Sequence, residues 1–398
     1  MAEFTKGQYS QLLDDEMWGI PDYDYDQDYE EVLNKLDDRE SFRPFSERLL
    51  AFYGETLNAK FTANEAKSDL QKRVKHANIQ LSRNTIANWF SGNNEPNYGD
   101  NDRRNMFAVA FALELDCAGT ERLFNKVFLD KAFNKRNVRE FIFMYCIYNR
   151  KPLSVAENLI SKLEIMDLQG KPNEQTEHTR FLSAAASRDM SEDEVLSFIA
   201  DYQHNFSLNN TAAKSHKQRL LNRLTIGVGG KVGLAQQEYE RRRLELADDK
   251  DSYGTDRKVT KSIDFLLYMI IGVDYTQKKN DEVLSIRELF PRKEIYNQFP
   301  DKQSLSNKNP SSYVLRKEII LLYFYDYWVS SFLSGEYAGD YDGFVNELNG
   351  ILFDCGFSPL YVGNPYDWLF LYCSSCAVDG YTPLDRFRGM LGQDREVS

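Results

Sequence analysis

Apolar residues recur at helical spacing along most of the chain, and this pattern predicts a mainly α-helical protein. From residue 44 onward they repeat every three or four positions, which places them on one face of a helix. Alternation with a period of two, the mark of a half-buried strand, is almost absent. The clearest predicted helices cover residues 44–58, 259–273 and 312–334.

Several helix starts are marked by capping signals. Thr62 with Glu65 and Ser154 with Glu157 match the capping box, in which two side chains satisfy exposed backbone donors. Ser191 precedes three acidic residues and marks another start. Asn364 and Asp367 are placed for a turn and a helix cap, and we expect no other role for them.

One short predicted helix has the shape of an element that enters a groove. Ser82 is suited to cap its start, Gly92 to end it in a left-handed conformation, and Pro96 to prevent it from resuming. Its apolar face comprises Ile86, Trp89 and Phe90. Its polar face comprises Arg83, Asn84, Ala87 and Asn88.

This helix and the one before it predict a helix-turn-helix. In such a motif the first helix crosses the phosphate backbone and the second presents its first residues to base edges in the major groove. Arginine reads guanine and asparagine reads adenine through paired hydrogen bonds. We therefore predict base contacts by Arg83, Asn84, Ala87 and Asn88. We predict phosphate contacts by Lys67, Lys72, Arg73, Lys75, Ser82 and Asn93.

The same residues resemble a known family. The pattern Ser82-x-x-Thr85-Ile86-x-x-Trp89-x-x-Gly92-x-x-x-Pro96 is followed by the apolar run 111–115. It resembles the recognition-helix region of Cro/C1-repressor-type (XRE-like) helix-turn-helix domains over about residues 44–116. The resemblance implies a DNA-binding head. Residues 65–80 depart from the family pattern, because they form a longer first helix and lack the glycine of its turn.

The charge distribution bears on this hypothesis. The net charge is −12, but residues 14–40 alone hold twelve acidic and two basic residues. Residues 56–104 hold eight basic and five acidic residues, so the predicted motif lies in a locally basic region. The acidic, tyrosine-rich stretch is either a poorly ordered arm or a strip that covers a basic surface. A possible second basic surface comprises Lys131, Lys135, Arg136 and Arg139; the alternative is a solvated helix end.

A chain of 398 residues is long enough for two or three domains. Residues 167–178 are polar, with one glycine and one proline, and form the best candidate boundary. We expect an N-terminal helix-turn-helix domain followed by a large multi-helix C-terminal region. The predicted segments are an acidic arm at 1–43, the helix-turn-helix domain at 44–116, a helical domain at 117–225, a glycine-rich hinge with a charged helix at 226–256, and a C-terminal helical domain at 257–398.

Other chemical signals are weak. The glycine cluster at 227–233 lacks the strand and the Gly-Lys-Ser/Thr ending of a phosphate loop, which favours a hinge. Cys373 and Cys376 have a zinc-like spacing, but no histidine lies nearby in sequence, which favours packed thiols. The aromatic run 323–328 favours a core or a dimer interface over a ligand groove. No catalytic motif is evident, so we expect neither an enzyme, a metal nor a cofactor.

These observations favour a sequence-specific, helix-turn-helix transcriptional regulator that binds double-stranded DNA as a homodimer. An odd number of cysteines and no secretion signal indicate a cytoplasmic protein, and no apolar run is long enough to span a membrane. The alternative is a helical module that binds a protein or peptide through a degenerate helix-turn-helix. A mobile-element or defence-associated effector enzyme is a further alternative that no motif supports.

Overall fold

Helices make up nearly all of the regular structure, which confirms the mainly α prediction. The computed structural model describes residues 43–93, 96, 100–135, 137–165, 179–203, 206, 211–245, 262–271, 278–279, 282–283, 299–335, 340–362, 364–375 and 382–392. In these ranges the only strand pairing joins Lys278–Lys279 to Glu282–Val283, antiparallel. No helix among them combines the length and the apolar content that a bilayer span requires.

The described chain divides into two units. The described residues of 43–212 and 353–358 form the N-terminal unit, and the described residues of 213–352 and 359–392 form the C-terminal unit. This division differs from the predicted segments that the structure describes; residues 1–42 of the predicted arm and the candidate boundary at 167–178 lie outside the described residues. One continuous apolar core extends from Phe45 to Phe206, so the predicted boundary after residue 116 does not separate two cores. The reason is that the helices before and after residue 116 bury their apolar faces against each other.

The N-terminal unit consists of consecutive helices with one π-helical turn at Phe124–Phe128. The helices are α1 (Phe45–Leu57), α2 (Ala63–His76), α3 (Arg83–Ser91), α4 (Asp100–Ala112), α5 (Cys117–Leu123), α6 (Val138–Tyr148), α7 (Leu153–Ile165), α8 (Thr179–Ala186) and α9 (Glu192–Asp201). Aromatic rings fill the centre of this unit. The Phe107 ring centroid lies 4.7 Å from that of Phe124 and 4.5 Å from that of Phe143.

The C-terminal unit is arranged around one long helix, α14. Its helices are α10 (Thr211–Thr225), α11 (Leu234–Glu245), α12 (Ile263–Ile271), α13 (Lys302–Ser306), α14 (Ser312–Ser334), α15 (Tyr341–Asp354), α16 (Pro365–Ser374) and α17 (Pro383–Gly392). Residues 323–326 and Trp328 on α14 are buried, so this part of the aromatic run belongs to the core. Buried Cys373 on α16 fits the prediction of a packed thiol; Cys376 lies outside the described residues.

Buried charges connect α14 to its neighbours. Arg316 forms two hydrogen bonds to Asp367 of α16, at 2.8 and 2.6 Å, and all of these groups are buried. The Asp367 carboxylate therefore binds an arginine, which is a role beyond the predicted one at the turn, where it accepts a hydrogen bond from the Tyr361 amide at 3.0 Å. Asn364 does cap α16, because its side chain accepts a hydrogen bond from the Tyr366 amide at 3.0 Å. Removing one partner of such a pair would leave a buried charge unpaired, which is costly.

The structure confirms the caps that were predicted at Thr62 and Ser191, but not the one at Ser154. Thr62–Glu65 and Ser191–Glu194 each form a complete capping box. The Ser154–Glu157 prediction is wrong, because α7 begins at Leu153 and Ser154 lies inside its first turn. Glu157 instead accepts a hydrogen bond from Arg104.

The glycine cluster forms the turn between α10 and α11. Gly227, Gly229 and Gly230 all have positive φ angles. A Cβ at Gly227 would lie 1.9 Å from the carbonyl oxygen of Lys231, so no larger residue fits this turn unchanged. A helix, rather than the strand of a phosphate loop, precedes the cluster. The predicted charged helix is α11, which begins at Leu234.

Asp326 of α14 is a buried carboxylate whose negative charge is only weakly balanced by a neighbouring cation. The Nε atom of half-exposed Arg223 lies 3.0 Å from its Oδ1 atom, and among the described residues that oxygen accepts no hydrogen bond. Burial raises the pKa of Asp326 to about 6, although Arg223 opposes the shift. An aspartate in an unfolded chain has a pKa of about 3.9. Between these two values the folded state binds more protons, so this group makes the protein less stable as the pH rises.

We expect Asp326→Asn to raise the free energy of unfolding by roughly 1–3 kcal/mol at pH 8, because it removes a buried charge. The gain should shrink towards zero as the pH falls from 6 to 4, where the wild-type carboxyl group becomes neutral. Urea unfolding of both proteins at several pH values measures the difference in the free energy of unfolding. The contributions of the other titrating groups cancel in this difference. A variant that is less stable than wild type at pH 8 would show that the pair with Arg223 is net stabilising.

Candidate nucleic-acid interface

The platform of the predicted interface is the packing of α3 against α1. The Trp89 ring lies 5.6 Å from that of Phe45, and the Phe90 ring lies 6.0 Å from that of Tyr53. Together with Ile86, these side chains bury one face of α3 completely. The burial fixes the rotation of α3 about its axis, so the opposite face is directed to solvent.

That opposite face carries the residues predicted to contact bases. We call it the recognition face, and it consists of Arg83, Asn84, Ala87 and Asn88. Arg83 and Asn84 are exposed, and Ala87 and Asn88 are half-buried. The first turn of α3 is therefore its most accessible part, which is where helices reach base edges in a major groove. Ser82 caps this turn by accepting a hydrogen bond from the Asn84 amide at 3.2 Å. Gly92, with a φ angle of 70°, ends the helix as predicted.

The turn between α2 and α3 spans residues 77–82 and is longer than the three to four residues usual in this motif. Asn78 adopts a left-handed φ angle of 53°, so an asparagine takes the conformation for which glycine is the default. The Ile79 amide donates to the Val74 carbonyl at 2.9 Å and closes the end of α2. Across the turn, the side chain of Gln71 donates to the Arg83 carbonyl at 3.2 Å.

The predicted phosphate-contacting residues fall into two groups. Lys72 and Lys75 are exposed on α2, and Asn93 is exposed just after α3, so these three can reach a ligand. Lys67 is half-buried and donates to Asn64 at 2.8 Å, and Ser82 is engaged as the cap of α3.

Arg73 has a structural contact beside its predicted role at phosphate, which stays a prediction. Its Nε atom donates to Asp69 at 2.7 Å, and the same carboxylate oxygen accepts a hydrogen bond from Tyr53 at 2.6 Å. Although burial opposes it, the hydrogen bond from Arg73 lowers the pKa of Asp69. This trio connects α2 to α1 and therefore helps to hold the platform under α3.

The charge of the platform favours an anionic ligand. Residues 43–93 contain eight basic and four acidic residues. At least three of the four acidic side chains serve internal contacts, since Glu65 completes a capping box, Asp69 binds Arg73 and Glu55 binds Lys126. The hydrogen bond from the Thr62 backbone lowers the pKa of Glu65, which keeps the capping carboxylate ionised. The exposed charges nearest the recognition face are therefore mainly positive.

The described residues of the predicted second basic surface differ in their exposure. Lys131 is half-buried, its Nζ atom lies 6.0 Å from the centre of the Phe353 ring, and burial lowers the pKa of its amine. Lys135 is half-buried and Arg139 is exposed, while Arg136 lies outside the described residues. Lys131 therefore packs beside Phe353, and its role at phosphate stays a prediction.

The reason for this burial is an ion cluster that the sequence pattern did not indicate. Arg103 of α4 donates to Glu140 at 2.5 Å and to Asp130 at 2.8 Å, and it also donates to the carbonyl oxygens of Lys131 and Ala132. The loop before α6 thus wraps around one guanidinium group. Burial raises the pKa of Glu140, although Arg103 opposes the shift. No local sequence signal could have revealed the cluster, because Asp130 and Glu140 lie 27 and 37 residues from Arg103 along the chain.

A comparison with known proteins does not place the chain in a family. No protein-family model matches the sequence, and no curated protein or solved structure gives a significant match. The geometry of the described residues is therefore the basis for assigning a function.

Proposed function

We propose that this protein binds double-stranded DNA in a sequence-dependent manner, with α2 and α3 acting as a helix-turn-helix. The observation that carries the proposal is the exposure of Arg83 and Asn84 on the first turn of a helix whose opposite face is buried. A short helix held in this way presents polar side chains to a groove without rotating about its axis. The resemblance of residues 82–96 to XRE-like recognition helices supports the same function.

The chemistry of each position fits a role in the major groove. Arg83 can donate two hydrogen bonds to one guanine, and Asn84 or Asn88 can pair with the donor and acceptor of adenine. The methyl group of Ala87 suits contact with the methyl group of thymine. Lys72 and Lys75 supply phosphate contacts, which set the position of α3 but carry no sequence information.

The proposal extends to a regulatory role, for which the many helices outside α1–α4 are available. We propose a cytoplasmic transcriptional regulator in which the helices outside α1–α4 provide homodimerisation or sensing. Two copies would place two α3 helices in successive major grooves, about 34 Å apart. A bound peptide or protein is compatible with this arrangement as a regulatory partner.

Replacing both Lys72 and Lys75 with alanine tests the phosphate contacts. Each phosphate contact releases counterions, so the double variant should bind every duplex more weakly and reduce the slope of log K against log salt by roughly 1.8. Fluorescence anisotropy with a duplex at several salt concentrations measures this slope. Arg188→Ala is the control for the loss of one exposed positive charge outside α2 and α3.

The wild-type titration separates the proposal from its alternative. Salt-dependent binding to duplex DNA supports the proposed function. If the wild-type protein binds no duplex even at low salt, the helix pair is a protein- or peptide-interaction module instead. An unchanged slope in the double variant would exclude α2 as the phosphate-contacting helix.

A further inference from the structure

Arg104 of α4 lies at the junction between the α2–α3 turn and the rest of the N-terminal unit. Its Nη1 atom donates to the carbonyl oxygen of Gln80 at 2.7 Å. Its Nη2 atom donates to the carboxylate of Glu157 on α7. One planar guanidinium group therefore connects the turn directly before α3 to a helix that begins 70 residues after α3 begins.

We propose that Arg104 is a positioning residue that sets the orientation of α3 for reading base sequence. The inference rests on the proposed function and deepens it, because it makes recognition depend on α7 as well as on the helix pair. Arg104 itself contacts no base in this proposal. It acts through the backbone of the turn.

The length of the turn supplies the physical reason. Each residue without fixed φ and ψ angles adds conformational freedom, and the six residues of this turn exceed the usual three to four. Leu81, which is buried, anchors the turn on the core side. Gln80 is exposed, so its carbonyl needs a second contact to be fixed, and Arg104 provides it.

The geometry favours arginine over lysine at this position. Arginine presents several donors in a rigid fork, so it can bind the Gln80 carbonyl and the Glu157 carboxylate at the same time. A lysine offers one flexible ammonium group, which can bind either acceptor but cannot hold both in a fixed arrangement. We call the two contacts of Arg104, with the Gln80 carbonyl and the Glu157 carboxylate, the clamp. Because the side chains of Arg104 and Glu157 are 29% and 39% exposed, the clamp adds little to global stability.

The test compares wild type, Arg104→Ala and Arg104→Lys as full-length proteins. Duplexes selected by the wild-type protein are titrated beside scrambled duplexes of equal length. We expect Arg104→Ala to reduce the ratio of the two affinities by about ten-fold, with an unchanged salt slope. Arg104→Lys should recover only part of the lost discrimination.

The salt slope distinguishes positioning from a direct phosphate contact. If Arg104 only bound phosphate, its loss would weaken both duplexes equally and reduce the slope by about 0.9. Arg122→Ala is the matched control, because it removes one exposed positive charge from α5 and should leave the discrimination ratio unchanged. An equal loss on both duplexes would overturn the proposal.

Amide hydrogen exchange gives a readout that does not need DNA. In Arg104→Ala the hydrogen-bonded amides of Ile79, Leu81 and Asn84 should exchange at least about five-fold faster, while those of α1 and α6 keep their rates. Unchanged exchange in the turn would overturn the positioning role whether or not the protein binds DNA. Faster exchange together with no binding of any duplex by wild type would retain the clamp and reject the proposed function.

Discussion

Replacing Arg103 with alanine is expected to lower the free energy of unfolding by about 3–5 kcal/mol, the cost of breaking a buried ion pair from one side. The variant leaves Glu140 and Asp130, whose side chains are 8% and 12% exposed, without their shared cation. It also removes the donor that holds the carbonyl oxygen of Ala132. Chemical denaturation followed by circular dichroism measures the loss.

The neighbouring arginine provides a matched control. Arg104 also binds a glutamate, but its ion pair is substantially exposed, so Arg104→Ala should cost no more than about 1 kcal/mol. Arg103→Lys should fall between the two, because one ammonium group cannot replace the forked contacts. Equal losses for Arg103→Ala and Arg104→Ala would show that burial does not govern the strength of these pairs.

The double variant Arg83→Ala, Asn84→Ala is expected to abolish sequence preference while it preserves the fold. Each paired hydrogen bond to a base contributes about 1–3 kcal/mol of discrimination, so the two losses together should reduce it at least ten-fold. Both side chains are exposed, and thermal unfolding should therefore change little. Selection of bound sequences from a random duplex pool measures the preference directly.

The lysine variant described above is the appropriate contrast. Lys72→Ala, Lys75→Ala should weaken binding to all sequences and retain the preference, because phosphate contacts carry no sequence information. Arg83→Ala, Asn84→Ala should show the reverse behaviour. If this variant selects the same sequences as wild type, the recognition face is not the surface that reads DNA.

Local signals were sufficient to predict α3. A serine at the start, apolar residues three and four apart, and a glycine at the end all act within one helix, so one stretch of sequence contains them. The same is true of the Thr62–Glu65 box and of α14, whose bounds agree with the predicted 312–334. The exposed positions of Arg83 and Asn84 follow from the same periodicity.

Two of the predicted basic contacts also have partners inside the fold. Arg73 and Lys131 were expected to face a ligand, because charged residues are mostly exposed. Arg73 binds Asp69 under α3, and Lys131 packs beside the Arg103 cluster. Composition alone cannot distinguish a cation that faces solvent from one that pairs inside the fold, because the acidic partner decides which occurs.

The sequence by itself determined the class of fold, the short helix that carries the recognition face, and the signals that begin and end it. Those features depend on interactions between residues at most a few positions apart. The tertiary structure decided that α1–α9 share one core, that Arg103 gathers Asp130 and Glu140, and that Arg104 connects the α2–α3 turn to α7. These contacts join residues 24 to 53 positions apart, and only the packing of the helices brings them together.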